Sequence, residues 1–183
     1  MKQIKRSRGA SSEHGPEVRA REEAKTPLAE RIKFVLTEAR VVLPGAQALL
    51  GFQFAATLTE AFDKLAPPSR TVHLISLILV ALAIIFLMSP AAYHRIVEGG
   101  EDSEGLHKFA SAMVLSAMAV LAAGVCGDLF VVALKVFGNA NSAATMSALT
   151  LLSFYAFWFG YMLVIRGSRA AEKIIEIDQA RAA

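Results

Sequence analysis

Residues 71–95 read TVHLISLILVALAIIFLMSPAAYHR, and the nature of this stretch decides the fold. Between His73 and Tyr93 it carries no charged side chain, and most positions are Leu, Ile, Val, Ala or Phe. A helix needs about 20 such residues to cross the roughly 30 Å hydrocarbon layer of a bilayer. A soluble core helix would keep a polar face for water. This one has almost none, because Ser76 and Ser89 can return their hydroxyls to carbonyls of their own helix. The chain is therefore organised around a membrane span.

Composition agrees. The 183 residues are 55% hydrophobic with a formal net charge of +3, and the mean hydropathy is +0.47, above the soluble norm. Lys and Arg crowd the two ends, which points to anionic lipid headgroups as partners and away from nucleic acid. Cys126 is the single cysteine and reads as a small packing residue, so neither a disulfide nor a thiolate metal site is expected. The polar first 26 residues hold no apolar core of a secretory signal.

Outward from the opening stretch, residues 1–25 read as a disordered tail. Thr26-Pro27 offers an N-cap and a first-turn proline, opening an amphipathic interfacial helix over 26–40. The spans follow at about 41–62, 71–92, 107–137 and 142–165, then a tail over 167–183 with a helical extension. The expected fold is all-α: an integral membrane bundle of four transmembrane helices. Small residues such as Gly51, Ala55, Ala119, Ala123 and Gly127 suit close helix approach in lipid. An even number of spans puts both termini on one side, and the bias of Lys and Arg makes that side cytoplasmic.

Ionisable residues in or beside spans are the best functional pointers. Toward the outer face fall Glu60, Asp63, Arg70, His73, Asp128 and Lys135; toward the cytoplasm fall Glu38, Arg40, His94, Arg95, His107 and Lys108. Gln53, Thr57, Glu60 and Lys64 form one stripe at helical spacing. Gln53, Thr57, Glu60, Asp63 and Asp128 are the candidates for proton exchange or small-cation binding. Their bland alternative is boundary anchoring, with Glu60 and Asp128 paired to Arg70 and Lys135. His94 and His107 bracket acidic residues at no familiar metal spacing. No HExxH, G-x-S-x-G, Walker or dinucleotide motif occurs, so neither enzyme, metal nor cofactor is expected.

The series Glu38-Ala-Arg40-Val41, Gly45-Ala-Gln47-Ala-Leu49, Thr71-Val72-His73-Leu74 and Pro90-Ala-Ala-Tyr93-His94-Arg95 resembles a family of small uncharacterised bacterial membrane proteins. The match covers about residues 30–135. The resemblance implies four helices, a bacterial inner membrane and, from labels some members carry, sodium:proton exchange. Its motif positions are Glu38, Arg40, Gln47, His73, His94 and Arg95, with a structural alternative in which Glu38 and Arg40 pair with His94 and Arg95. Two functions are expected to compete: a homo-oligomer handling small cations or protons, and an accessory or scaffold subunit binding a larger membrane complex or anionic lipid.

Overall fold

The computed structural model describes residues 16–169, with side chains from residue 28 onward. Every element within them is helical. They are α1 (Pro16–Thr57), the single turn α2 (Glu60–Asp63), α3 (Pro67–Ile96), α4 (Glu104–Phe137) and α5 (Ala140–Tyr155). The last continues through a π turn at Ala156–Gly160, so that Ala140–Arg169 forms one apolar rod. Three helices are long and apolar enough to cross a membrane, namely Pro67–Ile96, Glu104–Phe137 and Ala140–Arg169. They mark the chain as a membrane protein.

The front of the chain differs from its sequence reading. No separate interfacial helix occupies 26–40, and Thr26-Pro27 does not start one, because α1 is continuous from Pro16 through Pro27 and Pro44. Each proline removes one backbone donor, but the packing of the face that follows outweighs that local loss. Ile32, Ala39, Ala46 and Gln53 are all buried and recur every seven residues. This is the period of a helix that keeps one seam against its neighbours by a left-handed supercoil. The disordered tail expected over 1–25 falls partly in α1 (16–25) and partly outside the described residues (1–15), as does most of the C-terminal extension (170–183).

α3 answers with its own seam. Ser69, His73, Ser76, Val80, Ala83, Leu87 and Pro90 are buried, alternating steps of four and three. Ala39, Ala46, Ala83, Leu87, Val114 and Ala117 form the shared core of α1, α3 and α4. Small residues at its centre bring backbones close enough for dispersion and packing to hold helices where lipid offers no hydrophobic drive. α4 is the hub, touching α1, α3 and α5, whereas α5 packs on α4. Two side-chain hydrogen bonds to backbone tie α5 down: Ser147 Oγ donates to the Cys126 carbonyl at 2.6 Å, and Tyr155 Oη to that of Ala119 at 3.0 Å. Cys126 itself is buried, as its packing role requires.

Turn chemistry sets the ends. Thr57 and Thr59 hydroxyls bond the carbonyls of Phe54 and Ala56 at 2.7 and 2.8 Å, satisfying orphan acceptors where α1 stops. Gly138 caps α4 at φ 65°, a left-handed conformation glycine adopts without strain. Ser103 caps the start of α4 by accepting from the Leu106 amide at 3.0 Å.

α1 and α4 run side by side in the same direction. Arg31 Nη1 meets Glu104 Oε1 at 3.2 Å near one end, and Gln53 meets Asp128 near the other. At 1.5 Å per residue these two ties lie roughly 33 Å apart on α1 and roughly 36 Å apart on α4.

Candidate functional site

Near the α1–α2 turn, three helices each contribute one polar side chain to an otherwise apolar seam. Gln53 is the fourth member of the buried series on α1, and His73 is the second on α3. Asp128 follows Gly127 on α4, where the absence of a side chain lets α3 approach. Asp128 Oδ1 lies 2.9 Å from His73 Nδ1, and Gln53 Nε2 donates to Asp128 Oδ2 at 2.5 Å. His73 Nε2 lies 3.2 Å from the Gln53 backbone carbonyl. The His73 and Asp128 side chains are 9% and 20% exposed, and Gln53 is 3% exposed.

Both ring nitrogens of His73 therefore face oxygen acceptors. A ring carrying two protons donates to both. A ring carrying one leaves a nitrogen lone pair opposed to an oxygen. Phe62 meets the ring edge-on, with centroids 5.4 Å apart, and fixes its plane. Gln53 Oε1 is buried without a hydrogen-bond partner. The cluster thus leaves a buried amide oxygen unpartnered, an unusual state for a buried polar group.

The cluster forms the inner wall of a cleft of about 310 Å³ between the ends of α1 and α4 and the α2 turn. Leu49, Phe52, Phe62, Leu65, Val131 and Val132 supply apolar walls, and Lys135 stands among the lining residues. Phe52 and Val132 are exposed, so the cleft opens sideways between α1 and α4.

The sequence candidates separate on this geometry. Gln53 and Asp128 come together, joined by His73. Thr57 is half-buried, but its hydroxyl is spent on Phe54. Glu60 and Asp63 are exposed and do not join the cluster. α1 ends at Thr57, which interrupts the expected stripe, and Glu60 pairs instead with Lys64 at 3.7 Å. Arg70 does not anchor a carboxylate; it donates to the carbonyls of Asp63 and Leu65 at 2.5 and 3.0 Å and closes the α2–α3 turn.

The motif residues do not form one cluster either. His73 belongs to the cleft end, whereas His94 lies at the far end of α3 and sits 3.8 Å from Asp102. Glu38, Arg40, Gln47 and Arg95 are exposed, so the expected pairing of Glu38 and Arg40 with His94 and Arg95 is replaced by Arg31–Glu104 and His94–Asp102. The first of these is half-exposed on both sides and contributes little. Sequence reading missed the direct contact of His73 with Asp128. Its signal was the seven-residue series on α1, which runs Ile, Ala, Ala and then Gln: a polar residue in a seam position demands buried partners.

A family model described as a family of unknown function (DUF6328) matches residues 21–162. No curated protein and no solved structure matches the chain.

Proposed function

We propose that this chain, which belongs to the family of unknown function DUF6328, handles protons or small cations across a bacterial inner membrane, as a homo-oligomer, through the Gln53–His73–Asp128 cluster. The observation that carries this reading is the double acceptor environment of His73. Gain or loss of one proton changes which hydrogen bonds the three helices can make, so occupancy and helix contact are coupled. A buried carboxylate and histidine at membrane depth are costly unless they serve such a purpose. No covalent chemistry is proposed.

In this reading the chain crosses four times, with α1 as the fourth span. The contacts Arg31–Glu104 and Gln53–Asp128 mark α1 lying beside α4 over more than the roughly 30 Å of a bilayer core. If α4 crosses, the second half of α1 crosses with it. Both termini then face the cytoplasm, where Arg31, Lys33, Arg95, Lys108 and Arg166 meet anionic headgroups, and the cleft faces outward.

Self-association is supported by the outer side of α1. Pro44, Gln47, Ala48, Gly51 and Ala55 are exposed there, and a side chain at Gly51 would meet nothing within 4 Å. An amide in hydrocarbon needs a partner, and a second Gln47 offers both donor and acceptor. Gln47→Leu is expected to shift the detergent-solubilised protein from oligomer toward monomer by light scattering. An unchanged mass removes this interface. The second reading, an accessory subunit of a larger membrane complex, rests on α5, whose apolar window buries none of its residues inside the chain.

The functional test uses vesicles loaded with a pH-sensitive dye under an imposed proton or cation gradient. Wild-type protein is expected to speed the collapse of the gradient, and Asp128→Asn or His73→Gln to return it to the rate of empty vesicles. Equal rates for wild type and Asp128→Asn would sink the reading.

A further inference from the structure

The cleft beside the cluster is poorly made for a bare metal ion and well made for an organic one. A hard cation takes six or more oxygen ligands or keeps its water. Here the wall is apolar and aromatic apart from the cluster, Thr59 and Lys135. Pockets of about 300 Å³ and upward, apolar with a few convergent polar groups, are the usual shape for small organic ligands. The polar groups also specify which end of the ligand faces inward. Both His73 nitrogens are already engaged, whereas the Asp128 carboxylate, 20% exposed among the lining residues, only accepts and retains lone pairs. The inward end must donate.

We infer that the cleft binds an organic monocation, a protonated amine on an apolar body, whose ammonium group docks on the Asp128 carboxylate and whose body lies against Phe52, Phe62 and Val132. This deepens the proton-or-cation reading above and rests on it. Charge decides the exchange. With His73 doubly protonated, the pair with Asp128 is neutral, and an entering ammonium would add an unbalanced charge in a medium of low dielectric. Loss of one proton from His73 to water as the ammonium arrives keeps the site neutral. One cation enters and one proton leaves.

The surrounding charges leave this balance intact. Arg70 is held by the carbonyls of Asp63 and Leu65, and Glu60 pairs with Lys64 in the open. α1 presents only Gln53 to the cluster, and α4 presents Lys135, which is exposed and can snorkel toward headgroups. The lateral opening lets an amphiphile enter from the outer leaflet.

The test is calorimetric titration of the full chain in lipid nanodiscs with three probes: 4-phenylbutylamine, 4-phenylbutanol and sodium ion. The amine is expected to bind and to release close to one proton into weak buffer, and the alcohol to bind at least about tenfold more weakly, as loss of a charge-assisted hydrogen bond implies. Asp128→Asn should weaken the amine about 10- to 100-fold. Because that variant alters the cluster, Val132→Trp serves as a second: it fills the cleft without touching a hydrogen bond and should abolish amine binding at an unchanged melting temperature. Amine binding that survives both variants, an alcohol that binds equally well, or binding without proton release overturns the inference. If the amine fails to bind while vesicle flux still depends on Asp128, the inference falls and the broader reading stands. If the amine binds but no flux occurs, the reverse holds.

Discussion

Gly127→Ala is expected to destabilise the folded protein by about 1–3 kcal/mol, the usual cost of forcing a group into a filled interface. A Cβ there would lie 2.1 Å from Ser76 Oγ, and Ser76 is buried in the α3 seam with its hydroxyl bonded to the Val72 carbonyl at 3.0 Å. The obstruction is one atom. Removing it with Ser76→Ala leaves the new methyl 3.4 Å from the Ser76 Cβ, ordinary contact, so the double variant should recover most of the loss. Gly124 behaves differently. A Cβ there meets Val80 Cγ2 at 2.9 Å and the Ser76 backbone carbonyl at 3.1 Å, and no side-chain truncation removes a carbonyl. Gly124→Ala should therefore resist rescue by Ser76→Ala. Thermal unfolding of the four variants in one detergent reads all of this. A Gly127→Ala protein that melts like wild type, or equal rescue at both glycines, contradicts the packing described.

The second large effect separates holding the helices from handling protons. Asp128→Leu strands Gln53 Nε2 and His73 Nδ1 together. Hydrogen bonds between membrane helices average about 0.6 kcal/mol and reach about 1.7, so losing two should cost about 1–3 kcal/mol. Asp128→Asn keeps the shape and one acceptor, and should cost about half as much on the same scale. Replacing Gln53, His73 and Asp128 together by Leu removes every stranded group. It should regain most of the stability, because buried polar sets are often exchanged for apolar ones at little loss. That triple variant would be folded and silent in the vesicle assay. Full stability in Asp128→Leu alone shows that the cluster holds nothing. Proton flux in the triple variant shows that the cluster is not the site.

Much of this was legible from residues alone. The opening stretch and the apolar runs of α4 and α5 announce membrane helices, because length and apolarity are properties of a single segment. Gln53, His73 and Asp128 each stand out as polar residues within or beside such runs. Their meeting does not. Which side chain on α3 faces which on α4 depends on helix rotation and crossing, and those are set by Gly124, Gly127 and Ala83, residues with no chemistry of their own. The motif positions show the converse. Glu38, Arg40 and His94 look like a cluster when read along the chain, yet Glu38 and Arg40 are exposed and His94 lies by Asp102 instead. Glu60 was misplaced because periodicity carries no mark of a helix end, which Thr57 and Thr59 impose by capping carbonyls.

What the sequence by itself determined is the solvent: three helices whose apolar length leaves a bilayer as their natural surroundings, and the small set of polar residues that must then be explained. What only the tertiary structure decided is which of those residues share a site. Desolvation is a property of each residue in its own helix, whereas hydrogen bonding at 2.5–2.9 Å is a property of three helices packed in one register.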